Sequence, residues 1–267
     1  MNIHDYGFYR VAAIVPPCAV GDCTGNAERI IGALRKSAEM GADIAVFPAL
    51  AVTSASCGTL FGQQVLLNAA EDRLAYIVRQ TAMDPIIGVV GFPFFFEGSI
   101  YSAAAVFGRG IIYGIVPLDG SAHSRVFSLY SGKESSMIVT ALHNIAVPFG
   151  SDLLFEVEKS RFSFTIGSGH ILRNQNGAGC KDEDILTAKT VERIGCASLY
   201  IEPLAQASYA GSFTELCRSA AARSKQESNT VLFVNAEWGE STTDTACAGE
   251  RGIYENGELL AAANGFE

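Results

Sequence analysis

The apolar positions of this chain alternate between two periods. Residues 11–15, 44–47 and 86–92 are short, almost wholly apolar runs, the mark of strands buried on both faces. Between them, Ala27, Ile30, Ile31, Leu34 and Ala38 recur at helical spacing over 26–40, and Leu66, Ala70, Leu74, Ile77 and Val78 do so over 65–82. A strand, a helix and a strand in that order need a crossover, so the opening predicts a parallel pair. Strands at 99–107 and 110–116 meet at Arg109-Gly110, a hairpin signal, and short strands are predicted at 144–147 and 153–157. Over 162–166 the pattern becomes Phe-Ser-Phe-Thr-Ile, the strict alternation of a half-buried strand. Helices at 182–194 and 212–226, strands at 198–201 and 230–236, and a hairpin about Asn256-Gly257 complete the reading. It is an α/β chain, read as one domain over 1–267 that a longer protein could contain.

In such a fold the loop leaving the carboxyl end of a strand is where chemistry is placed. The loop after residue 166 is therefore the expected site. It reads Gly-Ser-Gly-His-Ile-Leu, without a cysteine or a carboxylate.

Composition narrows the function classes. With 49% hydrophobic and 18% charged residues the chain can bury a substantial core. A net charge of −9 and the lack of a basic run argue against nucleic acid as the main partner. No apolar run reaches the roughly 18 residues of a membrane helix. Nor does the N-terminus show a signal peptide's charged and apolar regions, so a cytoplasmic location is expected. The seven cysteines are odd in number and irregularly spaced, with no C-x-x-C. Neither a disulfide framework nor a metal site is expected; reduced thiols acting as small core residues are.

Several segments together resemble the nitrilase (carbon–nitrogen hydrolase) superfamily. They are residues 10–15, Gly41-Ala42-Asp43 through Phe47-Pro48, Ser56-Cys57-Gly58-Thr59-Leu60-Phe61 and 89–117. Three more follow: Val147-Pro148-Phe149-Gly150-Ser151-Asp152-Leu153-Leu154-Phe155, Gly239-Glu240-Ser241-Thr242-Thr243-Asp244 and Glu255-Asn256-Gly257-Glu258-Leu259-Leu260. These last point to the amino-terminal glutaminase domain of glutamine-dependent NAD synthetases. The resemblance implies a four-layer αββα sandwich, pairing of sandwiches into homo-oligomers, and an NAD synthetase domain or subunit as partner. It also implies amide hydrolysis by a cysteine nucleophile, a glutamate base and a lysine that steadies the oxyanion, with no cofactor.

Position by position, that machinery is replaced. The glutamate that follows Phe-Pro in the family is Ala49 here, and the lysine that follows Val-Pro is Leu118. The cysteine of the strand-end Glu-Ile-Cys-Glu-Asp aligns with Gly169, with Gly167 in place of the glutamate before it. A further family glutamate falls near Leu129. Between Gly169 and the strand at 198 the chain is about nine residues longer than is usual in the family, an insertion that includes Arg173-Asn174-Gln175-Asn176-Gly177-Ala178-Gly179. Alanine and leucine move no proton, and glycine carries no nucleophile.

The expected function is therefore a non-catalytic structural, regulatory or binding domain. The alternative is an amidase whose nucleophile has moved. Cys180 precedes a predicted helix, which lowers a thiol pKa, although Asp182, Glu183 and Asp184 act against it. Ser168 with His170 is a second alternative, although the G-x-S-x-G elbow is absent. Glu237-Trp238-Gly239-Glu240-Ser241 is polar and follows a strand, where the resemblance implies a place near the pocket and the partner surface. The simpler expectation is a turn that holds the fold, preferred for Thr242, Thr243 and Asp244. For Phe94-Phe95-Phe96 the expectation is either a strand end in the core or an exposed patch.

Overall fold

The computed structural model describes residues 3–6, 8–118, 126–130, 136–139, 146–156, 162–167 and 197–265. The helix predicted at 182–194, the inserted segment, Ser168, Gly169, His170 and Cys180 lie outside them.

Two sheets stack face to face. The first carries β1 (Val11–Ala13), β2 (Ile44–Val46), β3 (Ile87–Phe96), β4 (Ser99–Gly108), β5 (Ile111–Leu118), β6 (Ser136–Val139) and β7 (Ala146–Phe149), in the order β1-β2-β3-β4-β5-β7-β6. The second carries β8 (Leu154–Glu156), β9 (Ser163–Ile166), β10 (Leu199–Pro203), β11 (Thr230–Val234), β12 (Glu250–Glu255) and β13 (Glu258–Asn264), in the order β13-β12-β11-β10-β9-β8. As the opening pattern predicted, β1, β2 and β3 are parallel; so are β9, β10 and β11.

Helices α1 (Cys23–Glu39) and α2 (Gln64–Gln80) lay their apolar stripes on the outer face of the first sheet, with Ile30, Leu34, Leu74 and Ile77 fully buried. Helix α3 (Ser212–Glu227) covers the second sheet through Leu216 and Ala220. Between the sheets lies a third apolar layer, described below. The architecture is the αββα sandwich expected from the sequence.

Helix α1 begins three residues earlier than the apolar period indicates. The Asp22 carboxylate accepts from the Gly25 amide at 2.9 Å and caps the helix there. Asn26 lies inside the helix and is buried, tying Ala19 and Val52 to it. In the hairpin at Arg109-Gly110 both turn residues have positive φ, 52° and 76°, as a two-residue turn between twisted strands requires. Glu97-Gly98 and Asn256-Gly257 do the same. The Glu97-Gly98 turn joins β3 and β4 into a long ribbon, so β3 runs past residue 92 to Phe96. Along its end Phe94 is buried, Phe95 is exposed and Phe96 packs partly on the core, the alternation of a strand. Strand β6 has no counterpart in the apolar pattern.

Candidate functional site

One end of the sandwich gathers the carboxyl ends of β2, β5, β9, β10 and β11. Just after β2, the chain turns at Pro48-Ala49-Leu50. Gly91 on β3 permits this turn, because a β-carbon there would overlap the Pro48 carbonyl and Ala49 Cα. The Ala49 amide donates to the Leu204 carbonyl at 3.2 Å, joining the first sheet's loop to the loop that leaves β10. Leu118 ends β5.

Ala49 and Leu118 are both buried, and they share one inter-sheet layer with Leu50, Phe61, Phe164, Ile166, Ile201 and Ala205. Two of the three positions that the sequence singled out are thus brought into the same hydrocarbon layer. The third, Gly169, falls outside the described residues, as do Ser168, His170 and Cys180. Leu129 is 64% exposed and is not among the buried residues of this layer.

The strand that precedes the third position is described as far as Gly167, whose amide donates to the Ile201 carbonyl at 2.8 Å. Beside it stands Tyr200, fully buried on β10. A β-carbon on residue 167 would fall inside the Tyr200 phenol, overlapping its hydroxyl and its ring carbons. The Arg223 guanidinium lies 3.4 Å from the centre of the same ring. Arg223 also pairs with Glu202, at 3.2 Å, and with Glu227, at 3.2 Å. Burial pushes the Tyr200 hydroxyl well above its ordinary value, with Glu202 adding to the rise.

Sequence reasoning missed this cluster. The apolar pattern of the helix over 212–226 gives Arg223 no assigned partner, whereas the helix turns that residue against β10. The available signal was Glu202, an acid within an otherwise apolar strand, which calls for a buried partner.

A second polar knot closes the same end of the sandwich. Glu240 is buried; its carboxylate accepts from the Ala55 amide and, at 2.9 Å, from the Glu237 amide. The Ser56 hydroxyl donates to the Glu240 carbonyl. Glu237 and Glu240 form a reciprocal capping box on the short turn Trp238–Glu240. Thr242 accepts through its hydroxyl from the amides of Asp244 and Thr245. Residues 237–245 therefore form a turn that ties the two sheets together, as the simpler reading had it. Burial raises the Glu240 carboxyl, while the Ala55 and Glu237 amides and the Ser54 hydroxyl oppose the rise.

Ser54, fully buried, adopts φ 75° and ψ 146°, a region that side-chain-bearing residues seldom occupy. Its hydroxyl accepts from the Ser56 amide at 3.2 Å. Replacement by alanine loses this contact and keeps the strain; replacement by glycine loses the contact and relieves the strain. Ser54→Gly is expected to be more stable than Ser54→Ala by about 1–2 kcal/mol in urea unfolding. Equal stabilities would mean that the backbone relaxes out of this conformation at no cost.

The described thiols offer no activated nucleophile. Cys23, Cys57 and Cys247 are buried and Cys18 and Cys217 partly so, all as free thiols. Burial pushes Cys57 up to about 11 and Cys247 up to about 12, with Glu240 adding to both. Among the described residues no group of three or more His, Cys, Asp and Glu side chains could hold a metal ion. No described helix is long and apolar enough to cross a membrane.

With this geometry in view, known proteins give a consistent picture. The glutamine-dependent NAD(+) synthetase of Mycobacterium leprae (strain TN) is 29% identical over 274 residues, covering 99% of this chain and 38% of the relative. The chain thus spans about two fifths of the length of the curated relatives it matches. The crystal structure of a glutamine-dependent NAD(+) synthetase from Cytophaga hutchinsonii superposes with a TM-score of 0.78 at 18% identity, covering 97% of this chain and 41% of the other. A Nesterenkonia amidase from the nitrilase superfamily superposes with a TM-score of 0.64 at 16% identity, covering 97% and 87%. No family model matches the chain.

Proposed function

The chain has the nitrilase-superfamily fold and its relatives are glutamine-dependent NAD(+) synthetases; from that premise we propose that it is a glutaminase-like domain that does not cleave amides at the family's site. Its role on this reading is structural, regulatory or binding, in or beside an NAD synthetase domain or subunit. Like the family's sandwiches, it would pair with copies of itself.

The observation that carries the reading is the burial of Ala49 and Leu118 in one apolar layer. A general base and an oxyanion-stabilising cation must meet substrate in a polar cleft. Here the two positions present a methyl and an isobutyl group to hydrocarbon. Residues that act as a unit lose almost all of the rate when any one is removed.

The test is ammonia release from glutamine and from a panel of simple amides, by the wild type and by Cys180→Ala and Ser168→Ala. No release above background is the expected result. Release that disappears in Cys180→Ala or in Ser168→Ala would overturn the proposal and place the nucleophile in the loop after β9. Release that survives both changes would overturn it as well.

A further inference from the structure

Strand β4 carries a hydroxyl that the packing of the sandwich does not explain. Ser102 is 1% exposed, and among the described residues its Oγ has no hydrogen-bond partner. A hydroxyl buried in this way has given up its hydration without return, so it calls for a partner. The register of the sheet places it. Ser102 stands opposite Pro93 on β3 and opposite Leu118 on β5. Side chains opposed across a sheet share a face. Leu118 belongs to the layer between the sheets, and so does Ala104, two residues along β4. Ser102 therefore points between the sheets. Gly91 pairs with Ala104, and a β-carbon on Gly91 would overlap Ala49 Cα, so Ala49 lies over this same pair of strands. The hydroxyl thus sits between positions 49 and 118, where the resemblance expects a glutamate and a lysine. Small residues surround it: Gly91, Ala104 and Ala49, which is shorter than a glutamate by a carboxymethyl group.

We propose that this spot binds a small uncharged molecule, an alkyl chain of a few carbons that ends in one hydroxyl or carbonyl. The Ser102 hydroxyl makes one hydrogen bond to the polar end, and Ala49, Ala104 and Leu118 cover the chain. A carboxylate or an ammonium is disfavoured, because the methyl of Ala49 and the isobutyl of Leu118 supply no counter-charge and the ion would be buried unpaired. A lone water is a poorer occupant. Buried waters make about three hydrogen bonds, and the neighbours set by the register present hydrocarbon to this hydroxyl. The inference rests on the reading that amides are no longer cleaved at this site, and names what the site holds instead.

The experiment titrates the full chain with n-propanol and follows its methyl NMR signals, with propionate and propylammonium as charged controls. Saturable binding of n-propanol in the millimolar range is expected, with intermolecular Overhauser contacts to the methyl groups of Ala49 and Leu118, and no such binding of either control. Ser102→Ala should weaken n-propanol binding by about threefold or more, the loss of one buried hydrogen bond. Without ligand the same variant should unfold at a higher urea concentration than wild type, since it discards an unpaired hydroxyl. Absence of saturable binding to wild type would overturn the proposal. So would equal binding by Ser102→Ala, or binding of propionate as tight as that of n-propanol. A lower urea midpoint for Ser102→Ala would overturn it too, by showing that the hydroxyl already holds a partner such as a bound water. Ammonia release from amides is scored separately. Its appearance would remove the premise, whereas failed n-propanol binding without ammonia release would remove this site alone.

Discussion

Replacing Gly167 by alanine is expected to lower folding stability by about 3 kcal/mol, at the upper end of the usual cost of overpacking a core. The added methyl has no free volume to enter. It would coincide with the Tyr200 phenol, which Arg223 covers from one side and which is buried beneath α3. Side-chain adjustment cannot open the space cheaply, because moving Tyr200 disturbs the Arg223 contacts to Glu202 and Glu227. Removing only the hydroxyl, in Tyr200→Phe, should give little rescue, since the overlap includes ring carbons. Removing the ring, in Tyr200→Ala, itself costs about 3–5 kcal/mol. The combined variant should be less unstable than the sum by about 1–3 kcal/mol, the signature of a shared contact. Urea unfolding of the four proteins reads this directly. Additive costs would show that the chain at residue 167 moves away from β10, and the account of the close approach would fail.

The second large effect concerns the inter-sheet layer. Ala49→Glu restores the residue type that the resemblance expects, yet should destabilise the fold by about 3–5 kcal/mol, the cost of an uncompensated charge in hydrocarbon. That is a large part of the roughly 5–15 kcal/mol that holds a domain together. Leu118→Lys should behave alike. The introduced carboxyl would have its folded-state pKa raised by burial, so the penalty is complete above that pKa. It shrinks as the pH falls through the folded-state value towards the ordinary carboxylate value near 4.3. Parallel urea titrations of wild type and Ala49→Glu at several pH values give the difference curve. Wild-type stability in the Ala49→Glu/Leu118→Lys variant would reveal a water-filled cleft, and would count against a domain that no longer hydrolyses amides.

Both effects bear on what the sequence discloses. The parallel openings, the hairpin at Arg109-Gly110 and the apolar stripes of α1 and α2 were legible because period and turn chemistry are local properties. So was the arrival of Ala49 and Leu118 at a common place, through their resemblance to known motifs. The short strand β6 was not legible, since a four-residue strand paired to β7 carries too few positions to set a period. Neither were the Tyr200–Arg223–Glu202 cluster and the Glu240 knot. Each joins residues far apart in the chain, and only the packing of a helix on a sheet, or of one sheet's loops on the other's, decides that they meet. Arg223 shows the limit plainly, since its place near a helix end looks the same in sequence whether it faces water or a buried acid. The segment that follows residue 167 in sequence carries the third aligned position and both alternative nucleophiles.

The three turns with paired positive φ have a kinetic consequence. The β3–β4–β5 ribbon closes through contacts only a few residues apart in sequence, whereas β1 with β2 and β9 with β10 must wait for long stretches of chain to be gathered in. Loop closure favours the first over the second. Residues 87–118 are therefore positioned to act as the template on which the rest condenses, and pulse-labelled hydrogen exchange should find their amides protected first.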